Sequence, residues 1–132
     1  MKKIGTLLTL LIALFFTSNV MAKTKVNHRT HGEASYYAEF HHGKKTANGE
    51  RFNMHAMTAA HRTLPLGSKI KVTNLSNGKE VVLRVNDRGP YAKNRVLDVS
   101  KGAAKKLGMI KTGTAKIRIQ VLEVGNNKYL RT

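Results

Sequence analysis

Three stretches of the sequence hold side chains able to move a proton: RVNDRGPY with Asp87, TANGERFN with Glu50 and TAAHRTLPLG with His61. The chain has 24 Lys and Arg against 7 Asp and Glu, so the search for a catalytic carboxyl is short. Glu33, Glu39, Glu80 and Glu123 stand in or beside strand patterns with polar neighbours and read as solvated surface charge. Asp98, in RVLDVS just ahead of a helix cap, reads as a partner for main-chain or arginine donors. Asp87 extends the apolar row Val81, Leu83 and Val85. A carboxyl in that row is partly desolvated, which favours its protonated form and suits a general acid. Arg84 and Arg88 oppose this, although in a strand they point to the other side. The competing reading of Asp87 is an Asx-type turn bonded to the main chain ahead of Gly89-Pro90. Glu50 reads equally as an ordinary exposed loop glutamate beside Gly49, and His61 either orients a carboxyl, bonds a sugar hydroxyl or serves the structure alone.

Other chemistries find no support. His41 and His42 are adjacent, His55 and His61 are six apart, and there is no cysteine, so no standard zinc spacing occurs and neither a metal nor another cofactor is expected. The chain also lacks a phosphate-binding G-x-x-x-x-G-K-[ST] loop, a G-x-S-x-G elbow and a cysteine nucleophile. Tyr36 and Tyr37 alternate across a strand. One ring facing outward could stack on a sugar; equally, one packs in the core and the other lies on the surface.

The elements that must position these groups are short strands. Residues 33–37 form a first strand and 40–52 a long irregular loop rich in Gly, Asn and Lys. In 69–74 (KIKVTN) polar and apolar residues alternate, Asn77-Gly78 suits a two-residue hairpin turn, and 79–86 (KEVVLRVN) returns. Residues 95–99 (RVLDV) form a further strand. Ser100 caps a small helix with Ala103, Ala104 and Leu107 buried, ending at Gly108. From 115 to 124, Ala115, Ile117, Ile119 and Val121 face inward and Lys116, Arg118 and Gln120 outward. Many short strands, little helix and no βαβ rhythm indicate a closed or nearly closed β-barrel.

The N-terminal MKKIGTLLTLLIALFFTSNVMAK joins two lysines, an apolar run from Leu10 to Phe16 and a small-residue ending at Ala22, the pattern of a secretory signal peptide over 1–22. Its apolar core is short for a membrane span, so cleavage near Ala22 is expected and no stable membrane anchor afterwards. About 110 residues then remain, enough for one domain. Residues 23–31 read as a basic flexible leader, 32–124 as the domain and 125–132 as a loosely ordered basic tail. The formal charge of +17 falls to +15 without Lys2 and Lys3 and favours polyanionic surroundings. Export, and basic residues spread without interleaved aromatics, argue against nucleic acid as that partner. Without cysteine no lipid anchor on an N-terminal cysteine is expected, and the expected place is the periplasm or cell envelope.

The run from Gly32 to about Val124 resembles the RlpA-like (rare lipoprotein A) family of bacterial envelope proteins. The blocks that carry the resemblance are TANGE, TAAH-x-TLP-x-G, V-x-N-x-x-NG, V-x-NDRGP and D-x-S-x-x-AA-x-x-LG. It implies a six-stranded double-psi β-barrel with one or two short helices, acting as a monomeric lytic transglycosylase on peptidoglycan glycan strands stripped of stem peptides. Catalytic roles carry over to Glu50, His61 and Asp87, with Asp87 as acid, Glu50 as second carboxyl and His61 for positioning, the two carboxyl roles being exchangeable. Substrate-binding roles fall to Tyr37, Thr46, Asn48, Asn86 and Arg88. Family members often have a lipid-modified cysteine and a C-terminal peptidoglycan-binding repeat domain, neither of which this sequence contains, and Tyr36 stands where tryptophan is commoner. The same barrel also supports an expansin-like module that binds or loosens wall glycan without cutting it. A third alternative, adhesion to any polyanion, predicts binding lost in moderate salt.

Overall fold

The computed structural model describes residues 28–129. The expected signal peptide and most of the expected leader, with the last three residues of the expected tail, lie outside the described residues. Six strands run as β1 (Arg29–Tyr36), β2 (Thr58–Ala60), β3 (Lys69–Asn74), β4 (Glu80–Asp87), β5 (Arg95–Val99) and β6 (Thr114–Glu123), with helix α1 (Lys101–Lys106) between the last two. They close into a barrel in the order β1-β5-β2-β4-β3-β6. The β1–β5 and β2–β4 pairs are parallel and the other four antiparallel. Closure leaves no sheet edge open to pairing with another chain.

The alternating residues do what their period requires. Ile70, Val72, Val81, Leu83, Val85, Ile117, Ile119 and Val121 point inward and are buried, with Leu97 and Val99 of β5 beside them. Shortening one such side chain, Leu83→Ala for example, costs about 2–5 kcal/mol. Helix α1 covers part of the wall with Ala103 and Ala104. The Ser100 hydroxyl accepts from Ala103 N–H at its start, and Gly108 in the left-handed region (φ +66°) stops it.

The structure corrects three expectations and adds a strand. Strand β1 begins at Arg29, so Arg29, Thr30 and His31 are not flexible leader; they pair with Gln120, Ile119 and Arg118 of the long β6. Strand β2 escaped notice because its three residues are all buried and show no alternation. The hairpin after β3 is longer than two residues. Only Gly78 takes a positive φ there, its N–H reaching Asn74 O, while the Asn77 side chain turns away to donate to Leu107 O. The tail is tied at its start: Gly125 N–H donates to Ser68 Oγ, and Asn127 exchanges bonds with both main-chain groups of Leu66.

Candidate active site

Along β4, strict alternation puts Asp87 on the inner face with Val85. The pairing with β2 slips instead. Ala59 lies opposite Val85, but the next residue, Ala60, lies opposite Asp87, leaving Asn86 as the extra residue. The slip turns Asp87 to the outer face of the wall, as one-residue insertions into a ladder do. On the other side of β2, Ala60 lies opposite Asp98 of β5, and Asp98 lies opposite Ser35 of β1. Asp87, Ala60, Asp98 and Ser35 therefore form one row across four strands, the backbones of the two aspartates about 10 Å apart at two strand spacings. The small side chain of Ala60 leaves the row hollow at its middle.

That row is the floor of an open cavity of about 500 Å³. Tyr37 and His41 stand on one side, and Arg88, Tyr91 and Arg95 also line it. Asp87 is held by three donors: Ala47 N–H (2.8 Å) and Arg88 N–H (2.9 Å) to Oδ1, and the Tyr37 hydroxyl (2.5 Å) to Oδ2. The Tyr37 ring stacks on Phe52 with centroids 4.3 Å apart and meets His41 edge-on. Burial first, and the adjoining Asp87 carboxyl second, raise the Tyr37 pKa, so the hydroxyl stays a donor. Oδ1 thus takes both main-chain bonds, and Oδ2 takes the tyrosine hydroxyl.

Glu50 sits on the same loop that supplies Ala47 N–H but is turned to another partner. Arg84, on the outer face of β4, grips it with both terminal guanidinium nitrogens, Nη2 at 2.8 Å from Oε2. Asn48 Nδ2 donates at 2.6 Å and Asn86 Nδ2 at 3.4 Å. The Arg84 bonds come first among the causes that lower the Glu50 pKa to about 2, against the opposing effect of burial, so Glu50 is a permanent carboxylate. Thr46, Asn48 and Asn86 are buried within this network: the Thr46 hydroxyl donates to Asn48 Oδ1, and Asn48 N–H to Asn86 O. Their polar atoms build the seat of Glu50 and so brace the loop over Asp87.

His61 is near Asp87 only through the main chain, its N–H donating to Asp87 O. Its Nδ1 accepts from Thr63 and Leu64 N–H, which leaves the proton of the neutral ring on Nε2. Burial, then the charges of Arg88 and Arg62, lowers the His61 pKa and keeps the ring neutral. Arg88 is spent on His61 O, Leu64 O (2.6 Å) and Asn127 Oδ1. Among the described residues, neither Glu50 nor His61 lines the Asp87 cavity. Asp87 thus lines this cavity, while Glu50 and His61 are held on the loops on either side of it. Sequence reasoning missed Ser35, Tyr91 and Arg95 as cavity residues and placed Asp98 only as a structural partner. Their convergence depends on register, which leaves no local signature.

A family model described as "Lytic transglycolase" matches residues 29–119. The chain belongs to this family. Its RlpA-like relatives include proteins named endolytic peptidoglycan transglycosylase RlpA from Campylobacter jejuni and Neisseria meningitidis. Each is 53% identical over 96 residues, which is 73% of this chain and respectively 35% and 40% of those proteins. A protein of Treponema pallidum named probable endolytic peptidoglycan transglycosylase RlpA is 59% identical over 88 residues, 67% of this chain and 28% of its own length. The chain thus spans well under half of these relatives. Among solved structures, the Streptomyces papain inhibitor (TM-score 0.60, 20% identity, 74% of this chain and 97% of that one) shares the fold. So does an expansin of Clavibacter michiganensis (TM-score 0.59, 23% identity, 73% and 51%). The family match and these neighbours identify the closed barrel as a double-psi β-barrel.

Proposed function

We propose that this domain is an endolytic peptidoglycan lytic transglycosylase of the cell envelope, cutting stripped glycan strands between N-acetylmuramic acid and N-acetylglucosamine to leave 1,6-anhydro-muramyl ends. One observation carries the reading: a carboxyl, Asp87, lining a sugar-sized cavity, with Oδ1 held by two main-chain N–H groups and Oδ2 by the Tyr37 hydroxyl. Family membership and the printed activities of the relatives support it. Export through the N-terminal signal sequence and action as a monomer belong to the same proposal.

Protonated at Oδ2, Asp87 gives its proton to the glycosidic oxygen, and the leaving sugar departs as an alcohol. The muramyl 6-hydroxyl then bonds to the anomeric carbon, and its proton returns to Asp87. No water is consumed, and the carboxyl ends as it began. Between these steps the carboxylate is stabilised by Ala47 N–H, Arg88 N–H and the Tyr37 hydroxyl, donors already in place before the charge develops. Glu50 and His61 are positioning residues. Glu50, through Arg84, Asn48 and Asn86, braces the loop that carries Ala47; His61 and Arg88 brace the segment beyond Asp87.

The removal of Glu50 from the cavity favours a second reading, an expansin-like module that binds wall glycan without cutting. Incubating the mature domain with stripped strands and analysing the ends by mass spectrometry decides between them. Anhydro-muramyl ends support cutting, reducing ends contradict the mechanism, and bound but intact strands establish the binding module. Binding abolished by moderate salt, with no preference for sugars, reduces the protein to a polyanion binder.

A further inference from the structure

The end of the barrel that carries the β3–β4 hairpin and the C-terminus of α1 gathers lysines without carboxylates. The hairpin 75–79 (LSNGK) and the segment 101–113 (KGAAKKLGMIKTG) contribute Lys79, Lys105, Lys106 and Lys111, all exposed, and neither stretch holds an acidic residue. The fold brings the two stretches together: Leu107 O accepts from the Asn74 and Asn77 side chains, and Lys79 Nζ lies 3.5 Å from where a Cβ on Gly108 would stand. Because both amides already serve that carbonyl, no lysine is needed to bond the helix end. Five carboxylates are held by other cations: Glu39 by Lys101, Glu50 by Arg84, Glu80 by Lys71, Asp98 by Arg95 and Glu123 by Lys69. Glu33 lies opposite Lys116, and Asp87 is in the cavity. The Glu39 pKa is lowered first by its bond to Lys101 and only last by the charge of Lys105. None of the four ammonium groups has a hydrogen-bond or ion-pair partner among the described residues. Leu75, at the base of the same hairpin, is 46% exposed.

We infer that this lysine-rich end docks the domain on an anionic phospholipid surface. This rests on the proposed envelope location but not on cleavage. All four cations are lysines, hydrated point charges that suit a diffuse sheet of phosphates better than a single fixed anion, which the arginine fork grips. Leu75 adds an apolar contact of the kind that enters a headgroup layer and that a soluble polyanion does not reward. Each lysine near such a surface multiplies affinity about five-fold. Docking leaves the catalytic cavity free: no residue of this end lines it, and Lys79 precedes β4 while Asp87 closes it, about 25 Å further along the strand. One end of the barrel thus rests on lipid while the Asp87 cavity stays open to glycan.

The test is sedimentation of the exported protein with vesicles of equal parts phosphatidylcholine and phosphatidylglycerol, against vesicles of phosphatidylcholine alone. The parent binds the mixed vesicles and not the neutral ones. Changing Lys79, Lys105, Lys106 and Lys111 together to glutamine weakens binding by more than about one hundred-fold, and each single change by about five-fold, so the result stands even where the combined variant folds poorly. The control changes Lys44, Lys45, Lys93 and Lys128, exposed lysines on the segments around Asp87, to glutamine. It carries the same net charge and loses less than about ten-fold. Leu75→Ser weakens vesicle binding by about five-fold and leaves binding to soluble polyphosphate unchanged. Equal losses in the two four-lysine variants reduce the effect to net charge and overturn the inference, as does a parent that ignores the mixed vesicles. Binding to polyphosphate that depends on the same four lysines, with Leu75→Ser silent on vesicles, reassigns this end to a soluble polyanion and also overturns it. Cleavage of stripped strands is read separately without vesicles: absence of anhydro ends removes the transglycosylase reading and leaves the vesicle result standing on its own.

Discussion

Replacing Glu50 with glutamine removes the charge that Arg84 holds while keeping an oxygen for Asn48 and Arg84 to donate to. A carboxyl whose pKa falls from 4.5 to about 2 on folding stabilises the native state by at most about 3.5 kcal/mol. Arg84 is 41% exposed and Glu50 25%, so solvent screening reduces this to about 1–2 kcal/mol. The folded pKa lies below the unfolded one, so the contribution is complete above about pH 4.5 and is lost as pH falls from there towards 2. In urea titrations Glu50→Gln should therefore have a midpoint lower by about 1–2 M at pH 7, taking a slope of about 1 kcal/mol/M. The gap should narrow below pH 4.5 and close near pH 2. On the proposed positioning role of Glu50, cleavage at neutral pH should fall by about ten-fold, less than removing a general acid costs. A gap of the same size at pH 2.5 and pH 7 refutes the ion-pair argument, and a rate as low as that of Asp87→Asn refutes the positioning role.

Asp87→Asn should lower cleavage by about 10²–10⁴-fold with stripped-strand affinity within about three-fold, checked by product release and calorimetry. Tyr37→Phe keeps the ring on Phe52 but removes the donor to Oδ2; rates should fall by about ten-fold and stability by about 1 kcal/mol, measured by kinetics and urea unfolding. His61 has a lowered pKa in the folded state, so the unfolded chain binds its proton more readily. Stability should rise with pH in the region below about 6.5 and level off above it, and His61→Gln should remove that slope in urea midpoints. A Cβ at Gly125 would stand 2.2 Å from Leu66 O, so Gly125→Ala should cost about 1–3 kcal/mol in thermal melts, as a position built into the fold requires.

Strands β3 and β5 were legible in the sequence to the residue, because alternation in KIKVTN and the bounded run RVLDV report burial directly. The small helix was legible through Ser100 and Gly108, whose chemistry is local. So were the carboxyls worth attention, because acidic residues are few in so basic a chain. What the sequence by itself determined was the barrel class and the family, carried by period, composition and motif, with Asp87 singled out as a candidate. Only the tertiary structure decided which way Asp87 points, since a slip against β2 reverses the face that counting assigns. It also joined Glu50 to Arg84, 34 positions away, and gathered Ser35, Asp98 and Arg95 around the cavity. Register and long-range ion pairing depend on how strands meet across a closed wall, and no single strand's alternation records its neighbour.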